Sequence, residues 1–241
     1  MTRTLGFAFL ASTIAACTTA EPPAQPASDD LAGETGDGDA AKADSPHDTF
    51  GFIAVSKGDT CTTPIGCTPY TLTRANRSTI ECNDNEYHSS CKVGAISWTS
   101  VLSETATNKV EAALDKGGVQ VLVKGSYKIY VDFLAFVPTE VWLAQLPDGD
   151  TSGTFVQVFD WNAECQRMAA CPTMQEFKLN SNKMADLEGL DFGSDASDSL
   201  QGKVTKATAA AGAIVVGSRE TRNYVDFIDT LRSVGQVYLK Q

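Results

Sequence analysis

Histidine is nearly missing from this chain: there are two, His47 and His88. His47 lies in an acidic stretch near the N-terminus, so a Ser-His-Asp arrangement in the folded part has His88 alone to use, and no Gly-x-Ser-x-Gly accompanies it. Basic charge is scarce as well. Lys plus Arg number 19 against 30 Asp plus Glu, a net charge of −11, which argues against a nucleic-acid binder, since that needs a basic face for phosphates. No apolar run reaches 18 residues, so no transmembrane helix is expected in the mature chain. Cys-x-x-Cys is absent, which argues against thiol–disulfide catalysis, and the Cys-x2–4-Cys and His-pair spacings of zinc sites are absent too. No cofactor and no metal are expected.

What remains is a chain of 241 residues that is 42% hydrophobic and 20% charged, a composition for globular structure of one or two domains. Its first 16 residues stand apart. Arg3 gives a basic start, Leu5 to Ala16 is an apolar stretch too short to span a bilayer, and Ile14-Ala15-Ala16-Cys17 follows at its end. That ending resembles the bacterial lipobox. The resemblance implies removal of residues 1–16, a diacylglycerol thioether on Cys17 and a third acyl chain on its new amino group. Each buried methylene contributes about 0.8 kcal/mol, so two or three chains hold the protein firmly to a membrane. Thr18 after the cysteine implies sorting to the outer membrane.

Residues 17–48 are expected to be the lipidated cysteine and a disordered tether. Thr18 to Asp48 holds no aromatic residue, four of the nine prolines, eight acidic residues and one lysine. It cannot bury enough apolar surface to offset its ordering entropy. As a flexible coil it spans roughly 30 Å. Gly36-Asp37-Gly38-Asp39 faintly suggests a calcium or phosphate loop but lacks the flanking strand, helix and bidentate Glu such loops need.

The remainder repeats. Cys61-x5-Cys67 followed by Asn76 matches Cys165-x5-Cys171 followed by Asn180 at an offset of 104. Further on the offset is 94, where Tyr130-Val131-Asp132-Phe133 equals Tyr224-Val225-Asp226-Phe227 and Gly118 falls on Gly212. Lys92 to Phe133 gives eleven identities in 42 positions at that offset, against about two or three for random pairing. The ten-residue difference equals Cys82 to Cys91 inclusive. The reading is therefore α+β: two tandem related modules, 49–147 and 151–241, each a mainly antiparallel sheet with one helix in the order β-β-β-α-β-β. The first carries a disulfide insertion at 82–91. Ser103 and Ser197 are expected N-caps of helices reaching about Lys116 and Ala210, ended by Gly117-Gly118 and Gly212. Val93 to Trp98 and Tyr127 to Val137 read as strands, and the turn signal at Pro147 to Asp150 separates the halves.

Six cysteines remain after Cys17. Export places them in an oxidising compartment. The second half contains only Cys165 and Cys171, which pair locally if the modules fold alike. By correspondence Cys61 pairs with Cys67, which leaves Cys82 for Cys91. Each small loop contributes about 2–3 kcal/mol in the chain-entropy model.

Candidate chemistry is thin. His88, amid Asn83, Asp84, Asn85 and Glu86, reads as part of an exposed polar hairpin. Asp191, Asp195 and Asp198 suggest calcium only weakly, because Asp198 falls at a helix start where acids help anyway. Asn76-Arg77-Ser78 satisfies a glycosylation sequon, which carries no meaning in a bacterial chain. Asp132 and Asp226 sit among β-formers and are expected in strands, each serving its own half. The alternative is a two-carboxylate pair facing one cleft.

Asn76-Arg77-Ser78, Cys82, Cys91-Lys92-Val93 and Ile96-Ser97-Trp98, then a helix, Gly118 and a strand, together resemble the bacterial family Domain of Unknown Function 6748. Cys165 to Cys171 and Leu179-Asn180 match its second half. Where the family commonly has Cys-Gly-Gly this chain has Cys67-Thr68-Pro69. The resemblance implies a secreted or lipid-anchored protein and assigns no activity. The expected function is thus a non-catalytic lipoprotein of the bacterial cell envelope, binding or scaffolding an envelope partner. An exported protease inhibitor presenting a clipped loop such as Cys61 to Cys67, and an exported carboxylate-dependent hydrolase, are the alternatives.

Overall fold

The computed structural model describes residues 51–58, 68–131, 133–146, 148–161, 172–194, 196–223 and 228–241. The first half runs β1 (Ile53–Lys57), β2 (Tyr70–Arg74), β3 (Ile80–Glu81), β4 (Tyr87–His88), β5 (Cys91–Val93) and β6 (Ala95–Ile96). A short 3-10 turn at Trp98–Ser100 leads into α1 (Glu104–Leu114), then β7 (Val121–Ile129) and β8 (Leu134–Ala144). The second half runs β9 (Thr154–Asp160), β10 (Met174–Lys178), β11 (Met184–Leu187), β12 (Gly189–Asp191) and α2 (Asp198–Thr208). It ends with β13 (Ala213–Gly217), β14 (Arg219–Asn223), β15 (Ile228–Ser233) and β16 (Gln236–Lys240). The fold is mostly antiparallel β with two helices.

Both helices start where serine supplies the missing acceptor. Ser103 Oγ accepts from the Ala106 amide and Ser197 Oγ from the Leu200 amide. Each then buries one stripe, Val110 and Leu114 on α1, Leu200, Val204 and Thr208 on α2. They stop at Leu114 and Thr208, two residues short of the expected ends. Gly118 and Gly212 take φ of 68° and 83° just beyond, a conformation that an L side chain resists.

The expectation of two separate sheets needs correction. Strands of both halves lie in one curled sheet of order β11-β10-β9-β13-β16-β8-β7-β1-β2-β5, antiparallel throughout that path. β8 is long enough to hold β6 in parallel at its start and β16 at its end, where Trp142 faces Lys240 and Ala144 faces Tyr238. Left apart, the halves would each expose an unpaired edge, and pairing β8 with β16 removes both. Two smaller sheets complete the set, β12-β15-β14 and the β3-β4 hairpin.

Burial on both faces explains the near-continuous apolar runs. Ile53, Val55, Val121 and Val123 turn to α1, while Val156, Val158 and Val215 turn to α2. The alternate residues Leu122, Trp142, Phe155, Ile214 and Tyr238 meet in a cluster drawn from both halves. A fully buried side chain of this size contributes roughly 1.5–3 kcal/mol.

Two expected strands divide. Val93 to Trp98 breaks at Gly94, so β5 pairs with β2 while β6 pairs with β8. Tyr127 to Val137 is two strands, because the Tyr130 amide donates to the Phe133 carbonyl at 2.9 Å and reverses the chain. A bulge between Lys124 and Gly125 lets β7 keep pace with β8. A Cβ at Gly125 would run into the Val137 carbonyl, so glycine is required there.

Candidate functional site

The insertion between Cys82 and Cys91 is a clipped hairpin. The two cysteines are disulfide-bonded, as expected, and β4 inside the loop pairs with β3 just ahead of Cys82. His88 is exposed and its Nε2 lies 2.9 Å from Asp84 Oδ2. The Glu86 amide, and then His88, hold the Asp84 carboxyl below the usual carboxylate range. Ligand atoms of Asp84, Glu86 and His88 lie within 4.8 Å of one another, so this trio could hold a cation. The adjoining depression, about 370 Å³, reaches Lys92 and Leu134. All three groups face solvent, where such clusters are ordinary, and the hairpin remains the polar surface feature expected for it.

Charged groups of a different kind lie inside. Glu176 on β10 and Arg232 on β15 are both fully buried. Arg232 grips Glu176 with two parallel bonds, Nε to Oε2 at 2.8 Å and Nη2 to Oε1 at 2.9 Å. Its Nη1 donates to the Gly217 carbonyl at 2.8 Å, and Arg219 Nε stands 4.0 Å from Glu176. This fork fastens the large sheet to the small one. Nothing in the local sequence announced it. The aspartates singled out for calcium divide: Asp191 accepts from the Gly193 amide and from Arg222, which lower its pKa in that order, and Asp198 opens α2. Asp195 lies outside the described residues.

The halves are also locked by two asparagines that exchange partners. Asn180 Nδ2 donates to the carbonyls of Phe52 and Ala75, both at 2.8 Å, and its Oδ1 accepts from the Phe52 amide at 3.0 Å. Asn76 does the reverse, donating to Phe155 and Leu179 carbonyls and accepting from the Phe155 amide. Both take φ of 57°, the left-handed region that asparagine tolerates better than most residues. Gln236, fully buried, bonds the Leu146 amide and carbonyl in the same manner. Beside Asn76 an open depression of about 320 Å³ is lined by Ser152, Thr154, Lys178 and Ser218.

Glu111 on α1 gathers Tyr70 Oη, Trp98 Nε1 and Lys57 Nζ, tying the helix to β1, β2 and the 3-10 turn. Burial and then the Glu111 bond raise the Tyr70 pKa. Tyr127 differs, since its hydroxyl has no hydrogen-bond partner among the described residues. Burial, followed by the charges of Asp84 and Glu81, pushes it up to about 12. The native state therefore keeps a proton that the unfolded tyrosine releases near pH 10, so this contribution is complete below pH 10 and fades toward pH 12. Tyr127→Phe is expected to remove one late-rising component of a 295 nm alkaline titration, with Tyr70 and Tyr238, which burial raises further, still rising after it. At pH 7 it should leave stability unchanged or raise it by up to about 1 kcal/mol in urea melts. A loss of 2 kcal/mol would show that the hydroxyl is bonded.

Cys17, Cys61, Cys67, Cys165 and Cys171 lie outside the described residues, as do residues 1–48. So do Asp132 and Asp226, the aspartates expected in strands of the two halves. Among the described residues no helix is long and apolar enough to cross a membrane.

Geometry thus defines a β protein with two helices, its sheet pinned by buried polar struts. The chain belongs to the family described as Domain of unknown function (DUF6748), which matches residues 52–240. No curated protein and no solved structure matches it.

Proposed function

We propose that this chain is a lipoprotein of the bacterial cell envelope whose folded part is a non-catalytic binding or scaffolding module on an acidic tether. The observation that supports it is the use of the interior polar groups. Glu176, Arg232, Asn180 and Gln236 are fully buried and bonded to one another's strands or to backbone, the arrangement of a rigid support.

The two halves are, on this reading, tandem related modules fused into one sheet. Several observations support that. α2 follows α1 by 94 residues at both ends, and β10 follows β2 by 104. The strand order reads the same from either edge, β5-β2-β1-β7-β8 against β11-β10-β9-β13-β16. The exchange by Asn76 and Asn180 is the two-fold contact expected of a fused pair.

Anchoring is tested at Cys17. Wild-type protein is expected to incorporate labelled palmitate and to fractionate with outer membranes. Cys17→Ser should lose the label and either appear in the soluble fraction or stall with residues 1–16 attached. Membrane association and label unchanged in Cys17→Ser would sink the lipoprotein reading.

A further inference from the structure

The β7–β8 hairpin reaches beyond the strands that flank it. β1 pairs only with Val121–Val123, β16 only with Trp142–Ala144 and β6 only with Ala135 and Phe136, so the turn beyond Ile129 and Leu134 projects past all three as a finger. Its tip is apolar. Val131 is fully exposed and Ile129 is 70% exposed, with Tyr130 and Phe133 also on the surface. The rings of Tyr130 and Phe133 stack at 5.0 Å, and Lys128 Nζ sits 5.2 Å from the Tyr130 centroid. Two-residue hairpin turns ordinarily favour Asn, Asp and Gly at both central positions, whereas this one places Val131 beside Asp132. Folding gains nothing from a valine wholly in water, so an explanation has to come from what the tip meets.

We propose that this finger docks on a lipid bilayer, with Ile129, Val131 and Phe133 entering the boundary between headgroups and acyl chains. The layering of the finger fits that surface: apolar apex first, then the Tyr130 hydroxyl, then the Lys128 ammonium at headgroup level. Register supplies a second argument. Ile53 stands opposite Val123 and β1 runs antiparallel to β7, so the chain preceding Ile53 leaves the sheet at the end from which the finger projects. A lipid on Cys17 and a tether spanning roughly 30 Å would then approach the same bilayer that the finger touches. Such a tether raises the local concentration of bilayer, so a weak contact is sufficient. The proposal rests on the lipoprotein reading for that concentration and not for the contact itself. Lys128 and Asp132 balance within the finger, so anionic lipid is not required.

The test uses the chain from residue 17 onward carrying Cys17→Ser, which has neither acyl chains nor the apolar stretch Leu5 to Ala16, floated with vesicles of phosphatidylcholine and phosphatidylethanolamine. It is expected to co-float measurably, and Val131→Asp should lower the bound fraction at least tenfold. Val131 is exposed, so far-ultraviolet circular dichroism should not change with Val131→Asp. In a second measurement, Val131→Trp should add blue-shifted emission over the three native tryptophans on vesicle addition, quenched by brominated lipid. Absence of both flotation and the Val131→Trp shift overturns the proposal and makes a protein pocket the occupant. Flotation indifferent to Val131→Asp overturns it too. Neither result touches the palmitate labelling of Cys17, so failure of the finger and failure of the anchor are read separately.

Discussion

Arg232→Met is expected to lower unfolding stability by about 3–5 kcal/mol, because it leaves the Glu176 carboxylate buried and without its fork. The Gly217 carbonyl loses its donor in the same change. Arg219, at 4.0 Å from Glu176, moderates the loss without removing it, since it approaches one oxygen from a single direction. Glu176→Leu in the wild-type background should cost a similar amount by stranding the guanidinium. Combining Glu176→Leu with Arg232→Met is expected to recover much of the loss, because neither charge then remains to be desolvated. Urea melts of the four proteins give the coupling directly, and a coupling below about 1 kcal/mol would show that water reaches the pair.

That pair also shows where sequence reasoning stops. Glu176 sits in Met174-Gln175-Glu176-Phe177-Lys178, a pattern that reads as a half-solvated strand, and its partner lies 56 residues away on another sheet. Local features were readable for local reasons. Ser103, Ser197, Gly118 and Gly212 mark the helix ends because a cap and a positive φ each need particular side chains on the spot. Family membership was readable in Cys91-Lys92-Val93 and Ile96-Ser97-Trp98. Pairing of β8 with β16 was not, because an edge-to-edge contact between distant strands leaves no period in either one. The turn at Tyr130 to Phe133 was hidden by its composition, since it lacks glycine, proline and asparagine. Asn76 and Asn180 were visible as equivalent positions, but their exchange of partners is a property of the assembled junction alone.

The exchange at the junction leads to the second large effect. Asn180→Ala is expected to cost about 3–5 kcal/mol. It strands the Phe52 amide and the Ala75 carbonyl in a site with no solvent access, while the Phe52 carbonyl keeps the Ala75 amide; each unsatisfied group costs about 1–3 kcal/mol and partial relaxation recovers some of it. It also puts alanine at φ of 57°, so Asn180→Gly should be milder by about 1 kcal/mol while losing the same bonds. Asn180→Asp keeps the acceptor for Phe52 but turns a carboxylate toward two carbonyls, and should be at least as damaging as alanine at pH 7. Asn76 is partly exposed, so water replaces some of its bonds and Asn76→Ala should cost less, about 2–3 kcal/mol. Unfolding should remain a single transition in each variant. β8 still pairs with β16, and Trp142, Phe155, Ile214 and Tyr238 still meet across the halves. Two resolved transitions in Asn180→Ala would mean that the asparagines, rather than that shared cluster, make the halves one cooperative unit.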